Sequence, residues 1–100
     1  MGAVILIIED DASLQQMLAL HFEDQGARVM TADRCAAGMA LAQTESVDLI
    51  LLDQQLPDGE GIGLLPRLRN LCPEAPVIMM TGVHDLELAI EAIKLGAADF

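Results

Sequence analysis

Three unbroken apolar runs, Val4-Ile5-Leu6-Ile7-Ile8, Leu49-Ile50-Leu51-Leu52 and Val77-Ile78-Met79-Met80, constrain this chain more than anything else in it. Each has the length of a strand and none alternates with polar residues, which is the pattern of strands covered on both faces. A weaker run spans residues 28–32. Between the runs lie segments with helical spacing. Residues 12–25 place Leu14, Met17, Leu18, His21 and Phe22 on one stripe before Gly26, a residue suited to the position just past a helix end. Asp11 is one candidate cap for that helix, and Ser13 with Gln16 spells a capping box slightly later. Residues 34–44 form a second helical segment, with Cys35, Met39, Leu41 and Ala42 available to a core. A third covers 62–71 and a fourth runs from Asp85 to Gly96. Pro66 falls just past the first turn of the third, where it removes a backbone hydrogen bond and either kinks the helix or delays its start. Strict alternation of strand and helix predicts an α/β fold, a doubly wound parallel sheet with helices on both faces.

Acids stand where two of the runs end: Glu9-Asp10-Asp11 after the first and Asp53 after the second. Strand packing has no use for a carboxylate there, whereas ligands of open parallel sheets collect at the carboxyl ends of the strands. Two buried strands delivering acids to one sheet edge predict a cation site with a reactive carboxylate. Competing readings fit less well. Gly59-x-Gly61-x-Gly63 follows a strand but is one residue short of the dinucleotide fingerprint, and the turn after the first strand carries acids that would repel a pyrophosphate. A phosphatase with an aspartate nucleophile would want a second acid where this chain has Gln55. Asp48 reads as a strand-start or turn residue, Asp11 as a cap, and Asp58 and Glu60 as solvated loop acids.

A chain of 100 residues makes one small domain with a real core. Five basic residues against sixteen acidic ones give a net charge of -11 at pH 7. Such a surface repels phosphate backbones and anionic membranes, so a basic or metal-bridged partner is expected. The longest apolar stretch, residues 3–8, is far below the ~20 residues of a membrane span, and no basic segment precedes it as in a signal peptide. A cytoplasmic location is expected. Cys35 and Cys72 form no C-x-x-C pair, lack histidines at metal-finger spacing, and read as small buried thiols. His21 reads as a partly buried, hydrogen-bonded side chain on its helix. His84, at a strand-to-helix turn facing the acidic edge, has the better claim to function.

Taken in order, four stretches resemble the receiver domain of two-component response regulators. They are Ile5-Leu6-Ile7-Ile8-Glu9-Asp10-Asp11, Asp53-x-x-Leu56-Pro57-x-x-Glu60-Gly61, Val77-Ile78-Met79-Met80-Thr81-Gly82 and Gly96-Ala97-Ala98-Asp99-Phe100. The Met80-Thr81-Gly82-x-His84-Asp85 turn and the Glu-Asp-Asp start are most similar to receivers of nitrogen-regulation-type transcriptional activators. The resemblance covers residues 1–100 as one receiver domain and implies a flavodoxin-like sheet of strand order 2-1-3-4-5. The chain stops as its fifth strand begins, so that strand and the last helix are expected to be incomplete. An isolated domain truncated there would expose a strand edge and is expected to be less stable than a completed one, or to self-associate.

The same resemblance implies a function in signal transduction. Asp53 would accept a phosphoryl group from a sensor histidine kinase. Mg²⁺ would be held by Glu9, Asp10, Asp53 and the backbone carbonyl of Gln55, with Asp10 and Asp53 as direct side-chain ligands. Thr81 matches the switch hydroxyl and Phe100 the switch aromatic, and the surface around the fourth helix and fifth strand would control an effector domain C-terminal to this one. The domain would assist its own phosphorylation and dephosphorylation without being an enzyme, would touch neither nucleic acid nor membrane, and is compatible with a homodimer. Two departures stand out. The family's lysine, three positions past the aromatic, would lie beyond residue 100, and Glu60 stands where the family more often has aspartate. The first leaves a second reading, a non-phosphorylated pseudo-receiver acting as a protein-interaction module, against which Glu9, Asp10, Asp53 and Thr81 all argue.

Overall fold

The computed structural model describes residues 2–80. Their order is β1 (Val4–Ile8), α1 (Ala12–Asp24), β2 (Arg28–Ala32), α2 (Cys35–Thr44), β3 (Leu49–Asp53), β4 (Gln55–Leu56), β5 (Gly59–Glu60), α3 (Gly61–Leu71) and β6 (Val77–Met80). Strands β1, β2, β3 and β6 pair in parallel in the order β2-β1-β3-β6. The strand read as fourth in the sequence is therefore β6, because the small antiparallel β4–β5 hairpin intervenes. Over these strands the expected 2-1-3-4 order holds. The expected fourth helix and fifth strand fall in residues 81–100 and lie outside the described residues, as do Thr81, His84 and Phe100.

Side chains of a strand point alternately to its two faces, so an unbroken apolar run can serve two layers at once. Leu6, Ile8, Ile50, Leu52, Val77 and Met79 share one buried cluster with Ala42 of α2 and Leu64, Leu65 and Leu68 of α3. Ile5, Ile7 and Leu51 face the other way, where Leu18 and Phe22 of α1 pack. Leu6, Ile7, Ile8, Ile50 and Leu52 are fully buried. Burial of each such side chain contributes about 1.5–3 kcal/mol.

Helix α1 departs from the expected stripe. Leu18 and Phe22 reach the sheet, but Met17 is 62% exposed and His21 is exposed as well. One position along a helix is a rotation of about 100°, so the pair one residue earlier turns out to solvent. His21 is thus exposed rather than partly buried, although it does hydrogen-bond, its Nε2 lying 3.3 Å from Gln25 Nε2; its ring stands edge-on to Phe22 with centroids 5.1 Å apart. Between the two candidate caps, Asp11 is the one used, accepting from the Leu14 N–H at 3.1 Å. Helix α3 begins at Gly61, one residue before expectation, and carries Pro66 inside it with the ring on the exposed face. Among the described residues no helix is long and apolar enough to cross a membrane.

A candidate cation site at the carboxyl edge of the sheet

The register of β1 against β3 pairs Ile8 with Leu52, so the residues that follow, Glu9 and Asp53, stand side by side at the carboxyl ends of their strands. Glu9 continues the ladder by donating its N–H to the Ala32 carbonyl at 2.9 Å. Gln15 of α1 locks this corner: its Nε2 donates to the Glu9 carbonyl at 2.9 Å and to the Ala32 carbonyl at 3.2 Å. Glu9 is buried, Asp53 half-buried and Asp10 exposed. Each offers a carboxylate oxygen, and these oxygens lie within 4.8 Å of one another. The three acids read from strand ends thus do meet.

Burial, first, and the hydrogen bond and negative charge of Asp53, second, push the Glu9 carboxyl up to about 8. The ion pairs among the described residues, Arg28 with Glu45 and Arg34 with Asp33, involve none of these acids. Three carboxylates gathered with no basic partner among the described residues form an all-oxygen donor set, the chemistry that suits a hard divalent cation such as Mg²⁺. Gln55, whose backbone carbonyl is the expected further ligand, opens the β4–β5 hairpin with its side chain exposed.

The hairpin is tied down at several points. Gly61 N–H donates to the Gln54 carbonyl at 2.8 Å, and a Cβ on Gly61 would collide with the Asp53 carbonyl oxygen, so only glycine permits this approach. Asp58 accepts from the N–H groups of Cys35 at 2.7 Å and Ala36 at 3.0 Å. It thereby caps α2, whose own N-cap residue, Arg34, makes no side-chain cap bond. These backbone donors hold the Asp58 carboxyl below its ordinary range. Gln54, only 6% exposed, donates from Nε2 to Glu60 at 3.0 Å and accepts at Oε1 from the Ile62 N–H at 3.0 Å. The reading of Asp58 and Glu60 as merely solvated acids is therefore corrected, and Gln15 and Gln54 were missed. Only a polar residue directly after a buried strand could have signalled Gln54. Neither cysteine is an activated thiol: burial pushes both up, with Asp58 adding to the effect at Cys35.

Comparison with known proteins bears on this arrangement. The profile of the family described as response regulator receiver domain matches residues 5–100. The photosynthetic apparatus regulatory protein RegA of Rhodobacter capsulatus is 31% identical over 96 residues, which are 96% of this chain and 52% of that protein. The chain spans about half the length of the curated relatives it matches. A solved response regulator from Burkholderia pseudomallei, described with a phosphorylated aspartic acid, calcium ion and citrate, superposes with a TM-score of 0.94 at 28% identity, over 98% of this chain and 58% of that one. NtrX from Brucella abortus gives a TM-score of 0.91 at 31% identity, over all of this chain and 23% of its own.

Proposed function

The chain belongs to the family of response regulator receiver domains of two-component systems, and on that premise we propose that Asp53 is its phospho-acceptor. Glu9, Asp10, Asp53 and the Gln55 carbonyl would hold Mg²⁺, and the donor set of three converging carboxylates fits that ion. When bound, Mg²⁺ supplies positive charge that relieves the repulsion among the acids and screens an incoming phosphoryl group. The chain's own part is nucleophilic. An Asp53 carboxylate oxygen attacks phosphorus as the bond to the donor's imidazole nitrogen breaks, and the bonding electron pair leaves with that nitrogen. Glu9, burdened in the metal-free protein by burial beside Asp53, gives up its proton when a cation takes over the cluster.

Thr81 would donate its hydroxyl to a phosphoryl oxygen and Phe100 would answer as the switch aromatic, both on the strength of the sequence resemblance. A sensor histidine kinase is the proposed donor and an effector domain C-terminal to this one the proposed recipient of the signal. The chain acts on itself, assisting its own phosphorylation and dephosphorylation, and turns over no separate substrate.

The convergence of Glu9, Asp10 and Asp53 carries this reading. Intact-mass spectrometry after incubation with acetyl phosphate and Mg²⁺ tests it. The chain is expected to gain one phosphoryl group, and both the Asp53→Asn variant and removal of Mg²⁺ with a chelator are expected to abolish the gain. An Asp53→Asn protein phosphorylated to full stoichiometry would refute the assignment. The pseudo-receiver alternative predicts no stabilisation by Mg²⁺, whereas an occupied site adds about 2.7 kcal/mol at a hundredfold over its dissociation constant.

A further inference from the structure

Residue 54 does more than link the acceptor strand to the hairpin. Its backbone N–H donates to the Met80 carbonyl at 3.1 Å, and its carbonyl accepts from Gly61, the first residue of α3. Its side-chain Oε1 accepts from Ile62, the second, and its Nε2 holds the carboxylate of Glu60, the N-cap residue, which makes no cap bond of its own. Two of the α3 N–H groups that a helix start leaves without partners are therefore satisfied from residue 54. Glu60 in turn pairs with Gln55 across the hairpin. This nearly buried side chain, with its amide oxygen on the Ile62 N–H and its amide nitrogen on the Glu60 carboxylate, ties the hairpin that carries Gln55 to the start of α3.

We infer that Gln54 is a positioning residue: its amide holds the Gln55 carbonyl in place for the cation, and this rests on the role proposed above for that carbonyl. Gln54 touches neither cation nor phosphoryl group. Its replacement should therefore weaken Mg²⁺ use while leaving the acceptor chemistry intact.

The test compares the chain with its Gln54→Met, Gln54→Glu and Gln54→Glu/Glu60→Gln variants. Mg²⁺ binding is measured by calorimetry, and the Mg²⁺ dependence of phosphorylation is followed with acetyl phosphate. Gln54→Met keeps the volume and loses both hydrogen bonds, and loss of such supporting contacts costs about tenfold or more in metal affinity. At saturating Mg²⁺ its rate should return to within about threefold of the parent, because the acceptor is untouched. Gln54→Glu alone sets two carboxylates face to face. The double variant reverses donor and acceptor across the same contact and should recover most of the lost affinity.

A Gln54→Met protein that is less stable to heat but has an unchanged Mg²⁺ affinity overturns the inference, as does a double variant no better than Gln54→Glu. If the parent binds Mg²⁺ but takes no phosphoryl group, the phospho-acceptor reading fails by itself, and the affinities still decide the role of Gln54.

Discussion

Among the described residues, Glu9 stores the clearest pH dependence. Glu9 is 4% exposed beside Asp53 and its carboxyl is pushed up to about 8 from an ordinary 4.5, so the folded protein keeps a proton that the unfolded chain has released. The stability this confers is complete below the unfolded value and is lost as pH rises through the folded one. Denaturant unfolding of the metal-free protein should show stability falling by about 2–4 kcal/mol between mildly acidic and mildly alkaline pH. Glu9→Gln should flatten that fall, and saturating Mg²⁺ should flatten it too by replacing the proton. A slope unchanged in Glu9→Gln would place the titration elsewhere. Glu9, Asp10 and Asp53 were legible in the sequence because a carboxylate directly after a buried strand has no packing reason to be there. Asp58 was not, because the N–H groups it caps belong to Cys35 and Ala36, more than twenty residues earlier in the chain.

Elements show the same division between local and distant causes. The cap of α1 was readable because Asp11 and the N–H it accepts lie within one turn. The exposed side of α1 was not, since hydrophobic spacing alone does not say which of two neighbouring stripes, Met17 with His21 or Leu18 with Phe22, the sheet will take. Helix α2 depends on a cap from another element. Asp58→Ala should lower stability in chemical unfolding, because α2 loses its cap, while the Glu9, Asp10 and Asp53 carboxylates stay together. Gly61→Ala should be costlier, about 3 kcal/mol or more, because the new methyl meets the Asp53 carbonyl and the backbone itself has to move. That variant should also weaken Mg²⁺ binding. An Asp58→Ala protein as stable as the parent, or a Gly61→Ala protein unchanged in both respects, would contradict the packing described.

At the scale of the molecule, the parallel sheet with helices on both faces was legible because three apolar runs of strand length, which dispense with polar alternation as strands buried on both sides do, are separated by segments of helical spacing. The β4–β5 hairpin was not legible: its strands are two residues each and hold together through Gln54, Gly61 and Asp58 more than through their own pattern. Charge is the other global property. With a net charge of -11, the chain repels itself. Raising salt from about 0.01 M, where the screening length is about 30 Å, to about 0.15 M, where it is about 8 Å, should therefore raise the melting temperature of the metal-free protein. A melting temperature that falls with added salt would mean that attractive pairs dominate instead.

The central claim is that Glu9, Asp10 and Asp53 share one divalent cation, and titration calorimetry of Mg²⁺ into the chain and its Asp10→Asn variant tests it most directly. One saturable Mg²⁺ per parent chain is predicted, with affinity reduced by about tenfold or more in the variant. No saturable binding, or equal affinity in the two proteins, would contradict it.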